Sequence, residues 1–185
     1  MFGSLFRASR NRAFIDKIHG DIVAAARNPA LYGVYGVPDT LEGRFELLTL
    51  HAALVLRRLT RASAPGPDLA QDLSNAVFRH FDVALREMGV GDVTVPKRIK
   101  KMAEAFLGRA QAYDAALLQG NDQQLGAALA RNVYGRPVVD LASASGAAHW
   151  RLARYVRASE ALLKGATPEK LGRDGLSFPD PLAIS

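Results

Sequence analysis

Apolar residues recur at three- and four-residue spacing along almost the whole chain, and alternating runs of strand type are scarce, so the sequence predicts an all-α protein. A first helix is expected from about residue 3 to 28, stopping near Asn28-Pro29. The stretch from Ala30 to Pro38 reads as a loop rich in Gly and Tyr, apolar enough to pack against helices. Asp39 and Glu42 have the spacing of a capping box, with Asp39 as the cap of a second helix that continues to about Arg61. Its apolar positions Leu41, Phe45, Leu48, Ala52, Val55, Leu56 and Leu59 predict one core-facing side, leaving Glu42, Glu46, Arg57 and Arg61 mostly outside.

Ser63-Ala64-Pro65-Gly66-Pro67 separates this helix from a third that begins at Asp68 and carries Leu69, Leu73, Val77, Phe81, Leu85 and Met88 at helical spacing. Gly89 supplies its stop. After the connection 90–95, Pro96 suits the first position of a fourth helix running to about Gln119. Asn121 with Gln124 caps a shorter helix that ends near Val133, Gly135-Arg136-Pro137 breaks the chain, and a last long helix is expected from about Asp140 to Lys164. Thr167-Pro168 starts one final turn, and the tail beyond Gly172 reads as irregular. These elements make a single-domain bundle of about six to seven helices. Residues 1–29 form an N-terminal helix with a peripheral position as the alternative, 30–165 the main helical domain, and 166–185 an irregular tail.

Length agrees with one core, since a chain of 185 residues is expected to bury roughly 70% of its unfolded surface. No run approaches the ~20 apolar residues of a spanning helix; even Leu47 to Leu56 is interrupted by Thr49 and His51. The first fifteen residues contain Arg7, Arg10, Arg12 and no acid, the composition of an organellar transit peptide or of an amphipathic surface helix. The simpler reading, the first helix of the domain, is favoured because the apolar pattern continues through Ile18, Ile22 and Val23 without a cleavage site.

The chain has no cysteine, which removes disulfides, thiolate metal sites and cysteine nucleophiles. His19, His51, His80 and His149 fall on four predicted helices without ligand spacing, so no metal ligand is assigned. The glycines form no phosphate loop, and Ser74 near His80 has no nucleophile-elbow context, so no catalytic residue and no cofactor are assigned.

What remains is charge. The 24 Lys and Arg against 18 Asp and Glu leave a net +6, a balance that favours a partner bearing negative charge. Lys97, Arg98, Lys100 and Lys101 gather where the positive end of the fourth helix disfavours cations, which suggests an anionic partner; a solvated face is the alternative. Arg151, Arg154 and Arg157 form a second basic row at three-residue spacing. Aromatic residues do not interleave with either group, so base stacking is disfavoured.

The segment from Tyr35 to Glu46, YGVPDTLEGRFE, resembles bacterial members of the ubiquinol-cytochrome c chaperone family. The resemblance extends through Leu50-His51, Leu54-Val55-Leu56 and Arg58-Leu59, through Arg86-Glu87-Met88-Gly89-Val90-Gly91-Asp92 with Val95-Pro96-Lys97, and through Gly108-Arg109 and Tyr113, covering roughly residues 30–165. It implies an all-α, non-enzymatic assembly chaperone of respiratory complex III that handles newly made cytochrome b. Its mitochondrial relatives work with a small partner protein near the ribosomal tunnel exit. On that expectation the basic residues would meet rRNA or a membrane surface, and Leu31, Tyr32, Val34, Tyr35 and Val37 would offer a client-binding groove. The expected location is cytoplasmic, with the periphery of the inner membrane as an alternative, or the mitochondrial matrix in a eukaryote. A general RNA- or anionic-membrane-binding module is the competing reading.

Overall fold

The computed structural model describes residues 2–135 and 148–184, with side chains from Asn11 onward except that of Glu169. Six longer helices, α1 (Phe2–Ala26), α3 (Leu41–Thr60), α4 (Gly66–Glu87), α5 (Val95–Leu118), α6 (Asp122–Val133) and α7 (Ala148–Lys164), carry the fold. Two short helices, α2 (Pro29–Gly33) and α8 (Pro168–Asp174), and a 3-10 turn at Pro181–Ala183 complete it, with no strand among the described residues. The all-α single-domain reading holds. Residues 136–147, and with them the Arg136-Pro137 break and the expected start of the last helix, lie outside the described residues, as do the side chains of Phe2, Leu5, Phe6, Arg7 and Arg10.

The organising element is α3. Leu47, Leu48, Thr49, Leu50, His51, Ala52, Ala53, Leu54 and Val55 are all buried, and such a helix must be covered on every side. α1, α4, α5, α6 and α7 all pack against it. This corrects the one-sided reading of α3: Glu46 is only 5% exposed. Arg57 is held between helices, donating to Asp114 at 2.7 Å and Glu160 at 3.0 Å. α1 contributes Ile15, Ile18, Ile22 and Ala26, a 3-4-4 spacing that keeps one stripe inside against α3 and α4.

Helix ends differ locally from the sequence reading. Asn28-Pro29 does stop α1, but the same pair starts α2: the Asn28 side chain accepts from the Ala30 amide at 2.9 Å, and Pro29 takes the first helical position. The cap of α3 is Thr40, whose Oγ1 accepts from the Gly43 amide at 3.1 Å. Thr40 has the extended backbone a cap requires, whereas Asp39, one residue too early, pairs with Arg44 at 2.7 Å. Gly43 cannot carry a side chain, because a Cβ there would sit 1.9 Å from the Pro38 carbonyl oxygen. The expected Asn121–Gln124 cap forms at 3.0 Å.

The C-terminal segment has the turn expected at Thr167-Pro168 and no helix or strand over residues 175–180, yet it packs against the bundle and adds a 3-10 turn. Pro168 and Pro181 each sit at a helical first position, where proline costs no hydrogen bond and starts a turn. Leu171, Leu176 and Pro181 are buried. Tyr35 donates to the Pro181 carbonyl at 2.9 Å, the Leu176 amide donates to Asp21 at 2.8 Å, and the Phe178 ring lies 4.7 Å from that of His51. Residues 166–184 therefore close the bundle over α1, α2 and α3.

Candidate functional site

α1 and α5 each pack against both α3 and α4, yet not on each other to any comparable extent. The α3–α4 pair is thus the floor of a trough walled by α1 on one side and the first half of α5 on the other. A cavity of about 510 Å³ opens there, within the range of a small-molecule or peptide pocket. Phe45, Leu48, Phe81, Ala84 and Leu85 line the floor, with the Phe45 and Phe81 rings 5.1 Å apart. Val23 and Ala26 come from the α1 wall, Met102 from α5, and Tyr32 closes one end. Leu41 and Met88, 53% and 47% exposed, carry the apolar surface out onto the lips.

Charge surrounds this apolar surface. Arg27 borders it at the end of α1, Arg98 and Lys101 in the first turns of α5, and Glu42 and Arg44 at the start of α3. Arg44 is engaged with Asp39. Arg109 donates to both carboxylate oxygens of Glu46 at 2.6 and 2.5 Å and lies over the Phe45 ring at 5.6 Å. Burial pushes the Glu46 carboxyl above its usual range, against the downward pull of Arg109, while the hydrogen bond that Arg109 donates to Glu46 raises Arg109. The pair braces α3 to α5 at the trough wall.

The sequence-selected residues divide sharply. Lys97, Arg98, Lys100 and Lys101 are all exposed, and no ion-pair partner faces them among the described residues. The second basic row is largely spent on structure. Arg151 donates to the Val34 carbonyl at 2.9 Å and lies over the Tyr35 ring, and Arg157 pairs with Asp122 at 2.7 Å; only Arg154 is simply exposed. The two rows do not merge, since α7 packs on α3 and α6. Of the five residues expected to meet a client, Leu31, Tyr35 and Val37 are enclosed in the core, because α2 and the C-terminal segment fold over them. Tyr32 reaches the trough and Val34 is exposed.

The histidines are equally dispersed. His51 is sealed in the core, with Nδ1 donating to the Leu47 carbonyl at 2.7 Å and Nε2 accepting from the Tyr155 hydroxyl at 2.8 Å. His19 and His80 meet edge to face at 5.1 Å; desolvation lowers the pKa of both. His149 lies against Trp150. Among the described residues no three His, Asp or Glu side chains come together as a metal site, and no helix is long and apolar enough to cross a membrane.

Sequence reasoning missed the trough itself, together with Glu46, Arg109 and Met102. The available signal was that α3 and α4 carry more apolar surface than they bury against each other: Leu41 and Met88 continue the helical pattern beyond any neighbour.

Comparison with known proteins agrees with this architecture. The crystal structure of the Cbp3 homolog from Brucella abortus is similar over 100% of both chains, with a TM-score of 0.85 and 37% sequence identity. No curated protein matches the chain. The family model for the ubiquinol-cytochrome C chaperone matches residues 34–178, a span running from the end of α2 through α3, α4 and α5 to the segment that closes over His51. The chain belongs to the ubiquinol-cytochrome c chaperone family.

Proposed function

We propose that this protein is a non-enzymatic assembly factor for ubiquinol-cytochrome c reductase, respiratory complex III, and that it holds newly made cytochrome b before assembly. Family membership supports the chaperone role. The observation that carries the client part is the apolar trough with its exposed lips at Leu41 and Met88. A holdase needs apolar surface that is available in the folded state, and isolated patches of this kind mark interaction sites. Methionines such as Met88 and Met102 suit a surface that must accept more than one side-chain shape. The client surface is the trough beside the Leu31–Val37 segment, with Tyr32 common to both.

Deleting the gene is expected to reduce assembled complex III and haem-loaded cytochrome b together, as read by native electrophoresis and the reduced-minus-oxidised haem b spectrum. Normal levels of both would remove the assignment. Pulse-labelled cytochrome b should co-purify with the tagged chaperone, and crosslinking from Met88 should reach it before it reaches mature complex III.

The exposed cations favour a second component, contact with rRNA or an anionic membrane surface. Replacing Lys97, Lys100 and Lys101 by Glu should weaken co-sedimentation with ribosomes or with phosphatidylglycerol vesicles, with a loss that deepens as salt is lowered. Equal sedimentation of the variant and wild type at low salt would remove this contact. A small partner protein belongs to the same proposal, as does a location at the cytoplasmic periphery of the inner membrane or in the matrix.

A further inference from the structure

We propose that the trough between α1 and α5 selects an amphipathic helix of a partner polypeptide whose apolar ridge is flanked by acidic residues. The inference rests on the trough being the binding face, and it adds the chemistry of the occupant. Three cations border the apolar floor without an ion-pair partner among the described residues: Arg27 on the α1 side, and Arg98 and Lys101 on the α5 side. They stand on opposite walls, because α1 and α5 flank the α3–α4 floor from its two sides. Of the other basic groups that line it, Arg44 is committed to Asp39 and Arg109 to Glu46, His80 lies against His19, and Glu42 is the one lining acid without an ion-pair partner among the described residues.

Cations on both sides of an apolar floor decide between occupants. An anionic lipid concentrates its charge at one end, so it is served by a cluster at one end of a pocket. A membrane-spanning segment with Lys and Arg at its cytoplasmic flank would meet like charge on both walls. A helix with Leu-type residues at i, i+3, i+4 and i+7 and Glu or Asp on each side of that ridge fills the floor and meets cations along both edges. The open lips at Leu41 and Met88 agree with a ligand lying along the groove instead of being enclosed by it.

The test uses the full chain and two fluorescent helical peptides of about 14 residues with the same leucine ridge, one flanked by Glu and one by Lys. The Glu-flanked peptide is expected to bind at least about tenfold more tightly at low salt, with the preference shrinking as salt rises. Arg98→Glu with Lys101→Glu, both exposed and so compatible with the fold, should reduce the preference severalfold, and adding Arg27→Glu should abolish it. Equal affinity for the two peptides, or an undiminished preference in the triple variant, overturns the inference. So does tight binding to phosphatidylglycerol vesicles that the same substitutions abolish while neither peptide binds, which would assign the trough to lipid. These outcomes are independent of complex III levels in the deletion strain: loss of complex III without peptide preference leaves the assembly role standing and removes only the acidic helix.

Discussion

Arg109→Ala is expected to destabilise the protein by about 3 kcal/mol at neutral pH, the scale for removing one partner of a buried ion pair. The carboxylate of Glu46 would lose both of its guanidinium hydrogen bonds while remaining 5% exposed on α3. The lower end of the usual range applies because the Arg109 side chain is itself 23% exposed, so water can reach part of the gap. The loss should shrink on acidification. With its pKa already raised by burial, Glu46 without Arg109 takes up a proton more readily in the folded than in the unfolded state, so lowering the pH stabilises the variant relative to wild type. Glu46→Gln should cost less, since a guanidinium near solvent tolerates a neutral partner. A joint Glu46→Met and Arg109→Met variant should lie closest to wild type, because both desolvation costs vanish together. Urea denaturation of the four proteins between pH 5 and 8 reads this order, and an Arg109→Ala protein as stable as the double methionine variant would refute it.

That pair also shows where the sequence stopped being legible. Helix existence followed directly from apolar spacing, as in the Ile15, Ile18, Ile22 stripe and the Leu69 to Phe81 face, because spacing is a local property. Spacing alone puts Glu46 outside, because a carboxylate is normally solvated. Its burial depends on an arginine 63 positions away, on another helix. Arg151 and Arg157 show the same limit: three-residue spacing puts them on one stripe, but their partners Val34 and Asp122 come from other elements. Lys97, Arg98, Lys100 and Lys101 are exposed, since four cations in five residues leave little room for burial at a helix start. In the tail the Thr167-Pro168 start is legible because it is local, whereas the turn at Pro181 is not, since proline is as compatible with a helical start as with irregular chain. The trough required tertiary knowledge outright: only the packing of α1 and α5 on two sides of α3 and α4 shows which apolar residues remain uncovered.

His51 makes the fold sensitive to acid. The imidazole is fully buried, and its pKa falls from 6.5 to about 4, chiefly by desolvation and against the smaller upward effect of the Leu47 carbonyl. The neutral ring satisfies both nitrogens, with Nδ1–H on Leu47 and Nε2 receiving the Tyr155 proton; a charged ring would place two protons between Nε2 and the hydroxyl. Since the folded pKa lies below the unfolded one, the stabilisation is complete above pH 6.5. It is lost as the pH falls towards 4, where the unfolded chain binds a proton that the folded chain refuses. At about 1.4 kcal/mol per pH unit this amounts to about 3 kcal/mol across that window. His19 and His80 are shifted in the same direction, so the test compares wild type with His51→Gln, in which only the His51 contribution disappears. The stability advantage of wild type over His51→Gln should narrow by about 3 kcal/mol between pH 7 and pH 4, measured by denaturant titration at fixed ionic strength. An advantage that stays constant across that range would show that His51 titrates alike in the folded and unfolded chains, and the sealed Leu47–His51–Tyr155 arrangement would then be wrong.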